Sequence, residues 1–238
     1  MMFEVNEKDA LVIVDVQKDF CPGGSLPVQD GDKVVPVLND YIKIFWNAGA
    51  QIYTTKDWHP SNHVSFKPYG GIWPPHCIMG TEGAKFHLDL KLPKSVKIIS
   101  KATTPNKEAY SGFDGTNLEK DMSEKGVRRV FVGGLATDYC VKNTILDAVK
   151  VGFEAVLLTD ATLGVNVKPG DSEKAIKEMV DAGAKTVSLA EIQEPISDLK
   201  KEDMIEGMEE KTLKDSERKK FSRFRTRGPY RKAELLMQ

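Results

Sequence analysis

VFVGGLATDYCV, residues Val130–Val141, decides the architecture. A short β-branched apolar run stops at Gly133-Gly134, and a segment of helical character follows, expected over Asp138–Val151. That order reads as strand, tight turn, helix. Thr137 or Asp138 stands where a helix N-cap is expected. The same alternation repeats on both sides. Strands are expected at Ala10–Asp15, Gln51–Thr55, Val96–Ser100, Val130–Gly133, Ala155–Leu158 and Thr186–Leu189. Most of these runs are continuously apolar, as parallel strands covered on both faces are. Helices are expected at Lys33–Ala48, Gly115–Lys125, Asp138–Val151 and Asp171–Ala182, with Asp171-Ser172 as an N-cap. Gly49, Gly126, Gly152 and Gly183 stand where left-handed C-terminal caps belong. The β-α-β-α order predicts a three-layer, doubly wound α/β fold. Its sheet should hold about six mainly parallel strands, with helices on both faces.

The rhythm ends at Glu194-Pro195. Residues 1–195 therefore read as the domain, and residues 196–238 as a charged C-terminal extension, helical or flexible. The extension could dock on the domain or on a second subunit. The whole chain of 238 residues carries a formal charge of −1, which argues against a dedicated nucleic-acid or anionic-membrane binder. Residues 211–238 hold ten Lys/Arg against three Asp/Glu, leaving 24 against 32 for the rest. The basic tail is thus the one region to which nucleic acid could bind. The three cysteines are odd in number and form no C-x-x-C pair, which argues against a disulfide framework or a four-cysteine zinc site. Free thiols, an acidic start and no membrane-length apolar run lead to the expectation of a soluble cytoplasmic protein.

Three residues fall at strand ends, where open parallel sheets bind ligands. Asp15 closes the first strand, Lys101 follows VKIIS, and Cys140 lies in the first helical turn after Gly133-Gly134. A helix N-terminus lowers a thiol pKa and offers free N–H groups to an oxyanion. A nearby lysine would also favour the thiolate. Singly, each has a plainer reading: a loop carboxylate, a surface lysine, a small buried cysteine.

The four histidines all lie between His59 and His87, inside a Pro- and Gly-rich stretch from Trp58 to Ser95. A loop that long in a compact domain usually carries function. Asp57 and His59 are two apart after a strand, so an extended backbone puts both on one face. His76 could supply a third ligand, and His63 a conditional fourth or a supporting partner. Three protein ligands leave a metal open to substrate or water. The alternative is a group of loop histidines bonded to backbone and water. His87 is read as structural, and Cys21 and Cys77 acquire no role.

Five segments carry a resemblance in order and spacing. They are DVQKDF (Asp15–Phe20), KDWHPSNHVSF (Lys56–Phe66), WPPHC (Trp73–Cys77), Lys101 with AYSGF (Ala109–Phe113), and GGLATDYCV (Gly133–Val141). The set resembles the nicotinamidases of the isochorismatase-like hydrolase superfamily over roughly residues 8–192. The resemblance implies Asp15 as general acid/base, Lys101 as its lysine and Cys140 as nucleophile. It implies Asp57, His59 and His76 as ligands of one divalent metal, with His63 ligating in some members. Zinc is the expected ion, iron and manganese the alternatives. Phe20, Trp73 and Tyr110 would wall the pyridine ring. Leu135–Ala136 would be a cis peptide, and the N–H groups of Ala136 and Cys140 the oxyanion hole. Ala102 departs from the glycine many relatives carry after the lysine.

The implied reaction is nicotinamide to nicotinate and ammonia through a thioester in NAD salvage, with pyrazinamide as a further substrate. A homo-oligomer is expected. Two rivals stand: another amidase or isochorismatase-type hydrolase on the same scaffold, and a binding protein that works through its basic tail.

Overall fold

The computed structural model describes residues 2–193. Readings for residues 196–238, and for a docking or nucleic-acid role there, lie outside the described residues. A sheet of six parallel strands forms the centre. In chain order these are β2 (Asp9–Val14), β3 (Gln51–Asp57), β4 (Lys97–Lys101), β5 (Arg129–Leu135), β6 (Glu154–Leu163) and β7 (Lys185–Val187). The spatial order is β4-β3-β2-β5-β6-β7. The chain winds outward from β2 to β4, returns to the other side of β2, and winds outward again. The strand order therefore reverses between β2 and β5, which is where doubly wound sheets open a crevice. All six expected strands are present. A further parallel pair joins β1 (Phe3–Glu4) to β8 (Ile192–Gln193), bringing the two ends of the domain together.

Helix α1 (Val34–Asn47) covers one face, with Leu38, Tyr41, Ile42 and Phe45 packed over Leu11, Ile13 and Phe131. Helices α2 (Leu118–Glu124), α3 (Lys142–Lys150) and α4 (Asp171–Asp181) belong to the other face, whose core includes Ala10, Val12, Val14, Val130 and Val132. Successive residues of β2 thus go to opposite cores, which is why the whole strand is apolar. Gly49, Gly126, Gly152 and Gly183 all have positive φ, as expected of helix stops. Among the described residues no helix is long and apolar enough to cross a membrane.

Local capping differs from expectation in two places. The α4 N-cap is Gly170, at φ 89, and the Asp171 carboxylate instead accepts from the Lys168 N–H. The segment after β5 begins as one π-helical turn, Thr137–Val141, before α3. Neither Thr137 nor Asp138 caps it. Thr137 pairs with Thr162, and Asp138 accepts from the N–H groups of Val165 and Asn166.

At the reversal point Gly134 has φ 120, and an added Cβ would run into the Val14 carbonyl and amide. Gly134→Ala is expected to lower stability by at least about 2 kcal/mol, since both backbone strain and a backbone clash arise. Chemical denaturation checks this. An unchanged midpoint would show that β2 and β5 can separate there without loss.

Candidate active site and metal centre

β2 ends at Val14, and Asp15 turns out of the sheet at φ 49. Its carboxylate is completely buried. Oδ1 accepts from Thr55 Oγ1 at 2.6 Å, and Oδ2 faces Lys101 Nζ at 2.9 Å. Lys101 is the last residue of β4, in register with Asp57 of β3, and is 1% exposed. A lysine is rarely buried unless it is paired. Here Nζ also donates to Asp57 Oδ1, to the Ala109 carbonyl at 3.1 Å and to Cys140 Sγ at 3.4 Å. Cys140 comes from the π turn after β5. Single-turn π segments are frequent at functional sites. Asp15 and Cys140, read separately from two other strand ends, thus converge on the Lys101 ammonium.

Burial governs the charge states. It raises Asp15, and nearby Asp57 adds to this against the pull of Lys101, leaving the carboxyl above its ordinary range. Burial also works against Asp57, but the attraction of Lys101 leads the effects that hold that carboxyl below the ordinary range. Lys101 keeps its proton: burial opposes the charge, and Asp15, Asp57 and Cys140 overcome it. The Cys140 thiol is pushed well up by burial, with Lys101 opposing and the two carboxylates adding. The expected lowering of this thiol therefore does not occur in the resting site. A protonated thiol beside a carboxylate can still react if the carboxylate takes its proton during attack.

Asp57 Oδ2 lies 3.5 Å from His59 Nε2. Candidate ligand atoms of Asp57, His59 and His76 all lie within 4.8 Å of one another. His59 Nδ1 meets the Ala102 carbonyl at 3.3 Å, and His76 Nδ1 meets the Pro74 carbonyl at 2.8 Å. A carbonyl only accepts, so each ring carries its proton on Nδ1 and presents Nε2 as a lone pair. His59 Nε2 is buried with no hydrogen-bond partner. A buried lone pair without a donor, beside a carboxylate and a second imidazole, suits a divalent ion. Burial lowers His76, which favours the neutral ring a metal needs. Ala102 takes φ 50, so alanine adopts the left-handed turn that glycine would, and its carbonyl is the one that meets His59.

His63 stands beside this set. Its Nδ1 meets Ser65 Oγ at 2.7 Å and its Nε2 the Lys107 carbonyl at 3.0 Å, so both nitrogens are engaged. A second grouping, His59, His63 and Glu108, shares His59 but needs a nitrogen already bonded. His87 sits apart, accepting from the Asp89 N–H.

One pocket joins the two groups. Phe20, Trp73 and Tyr110 line it, together with Leu26, Glu108, Leu135, Tyr139 and Val165. Asp57 and His76 stand on its wall, as do Ala136 and Cys140. Trp73 Nε1 donates to Tyr110 Oη at 3.1 Å, and the Tyr139 ring packs edge-on to Trp73 at 5.1 Å. The Leu135–Ala136 peptide is cis. Tyr139 and Val165 escaped the sequence reading. Tyr139 adjoins Cys140 and could have been taken from that neighbourhood. Val165 enters only because Asp138 holds its loop, a pairing 27 residues apart.

The isochorismatase-domain family model matches residues 9–191. The nicotinamidase of Escherichia coli (strain K12) is 37% identical over 206 residues, covering 78% of this chain and 97% of that protein. The crystal structure of the Pyrococcus horikoshii pyrazinamidase in complex with zinc is similar at a TM-score of 0.74 and 53% identity, covering 76% of this chain and 99% of that one. That of PnC1 from L. infantum in complex with nicotinate is similar at a TM-score of 0.74 and 35% identity, covering 81% and 99%.

Proposed function

This chain belongs to the isochorismatase-domain family, and from that membership we infer that it is a nicotinamidase, hydrolysing nicotinamide to nicotinate and ammonia in NAD salvage. The observation that carries the reading is the convergence of Asp15, Asp57 and Cys140 on Lys101 beside the pocket. Pyrazinamide, which differs in the ring, is the second substrate. The three free cysteines fit a reducing compartment, and the cytoplasm is the proposed location.

Asp15 takes the Cys140 proton as sulfur attacks the carboxamide carbon. Lys101 stays protonated and balances the charge that moves between the thiol and Asp15. The N–H groups of Ala136 and Cys140 receive the developing oxyanion. Asp15 returns its proton to the departing ammonia, leaving a thioester. Asp15 then activates water, which cleaves the thioester to nicotinate and restores the thiol. Phe20, Trp73 and Tyr110 hold the ring and exclude water. Asp57, His59 and His76 would hold a divalent ion, zinc foremost, which supplies a Lewis-acid anchor for the pyridine nitrogen.

Ammonia release from nicotinamide by the zinc-loaded protein tests this. Chelation is expected to lower kcat/KM by about 10²-fold or more, with recovery on adding zinc back. No ammonia from the zinc-loaded protein would overturn the reading. Turnover indifferent to chelation would point to another amidase on this scaffold.

A further inference from the structure

We propose that Gln17 and Asp19 are positioning residues that clamp the two halves of the ion site to one short turn. The halves come from separate segments: Asp57 ends β3 with His59 two residues beyond, while His76 lies further along the long loop. β2 pairs with β3 only as far as Ile13 opposite Thr54, and Asp15 then turns away. Beyond that point the Gln17 side chain takes the place of a strand. Its Oε1 accepts from the Asp57 N–H at 2.8 Å, and its Nε2 donates to the Asp57 carbonyl at 2.8 Å. Nε2 also donates to the Ala84 carbonyl at 3.0 Å, tying in the long loop. Gln17 is fully buried, so each lost bond would leave a buried polar group unmatched. With Lys101 of β4 on its other side, the Asp57 backbone is held from both edges.

Asp19 does the same for the other half. Its Oδ2 accepts from the Cys77 N–H at 2.7 Å, directly after His76, and its Oδ1 accepts from the Ser25 N–H at 3.2 Å. Cys77 has φ 46, a conformation few non-glycine residues adopt without support. The charge-assisted bond from Asp19 supplies that support. The next residue, Phe20, packs its ring against His76 at 5.5 Å. One turn, residues 17–20, therefore sets the separation of Asp57 from His76 and carries a pocket wall as well.

The inference rests on the ion-binding reading of Asp57, His59 and His76. Partners that orient metal ligands typically carry 10–100-fold in affinity. Zinc affinity by chelator competition, measured on folded wild type, Gln17→Met, Asp19→Ala and Asp19→Asn, tests it alongside metal-free thermal midpoints. Gln17→Met and Asp19→Ala are expected to bind zinc about 10–100-fold more weakly. Asp19→Asn keeps one acceptor for Cys77 and is expected to recover most of the affinity. Variants that bind zinc as tightly as wild type, whatever their midpoints, would overturn the proposal. Should Gln17→Met not fold, the Asp19 pair decides it. Wild type that takes up no zinc would instead end the ion-binding reading itself.

Discussion

Replacing Cys140 with alanine is expected to slow ammonia release from nicotinamide by about 10⁴-fold or more while zinc stays bound. On the proposed mechanism, and among the described residues, this thiol is the group placed to form the thioester. Its sulfur lies 3.4 Å from Lys101 Nζ, and Asp15 stands ready to take its proton. It is not among the grouping of Asp57, His59 and His76, so its loss leaves those donors in place. Steady-state ammonia assays and zinc content on the same preparation check both halves. Near-normal turnover in Cys140→Ala would remove the nucleophile assignment, and loss of zinc would show that the two groups are not separable.

The second large effect is on stability. Lys101→Met should destabilise the metal-free protein by about 3–5 kcal/mol at pH 7, because it leaves buried charges uncompensated. Lys101 lowers both the Asp15 and Asp57 carboxyls. Without it, burial carries Asp15 further above its unfolded value, near 4, and Asp57 loses the largest attraction holding it down. The folded state then holds protons that the unfolded chain has released. Stability falls as pH rises through that window, so the deficit should shrink as pH is lowered from 7 toward 5. Urea denaturation at both pH values measures it. A loss under about 1 kcal/mol at pH 7, or a deficit that grows on acidification, would show that the lysine is not what balances these carboxylates.

The strands were legible because each is buried on both faces, which leaves a continuous apolar run. Boundaries were less so. β6 continues to Leu163, past Asp160 and Thr162, which break the run. β1 and β8 are two residues each, too short for periodicity to speak. A π turn and an α turn carry the same side-chain pattern, so Thr137–Val141 could not be distinguished. Asp171 and Ser172 have capping chemistry, but Gly170 at φ 89 reaches the position first. Asp15, Lys101 and Cys140 stand out in the sequence because strand ends are where such sheets bind ligands. Gln17 on Asp57 and Asp138 on Asn166 span 40 and 28 residues, and no local pattern announces such pairings. The direction of the Cys140 shift depended on burial, which the helix-terminus argument does not contain.

The reversal between β2 and β5 has a consequence for how the protein is made. Asp9 pairs with Arg129 across 120 residues, and that seam joins two halves of the sheet. Asp15 and Lys101 belong to the half synthesised first, Cys140 to the half synthesised second. A nascent chain that has not yet delivered β5 has neither its central strand partner nor Cys140, and exposes the edge of β2. Closing so long a loop is slow compared with local helix formation. Activity should therefore appear late and all at once during refolding, and its recovery reports closure of this seam rather than secondary structure content.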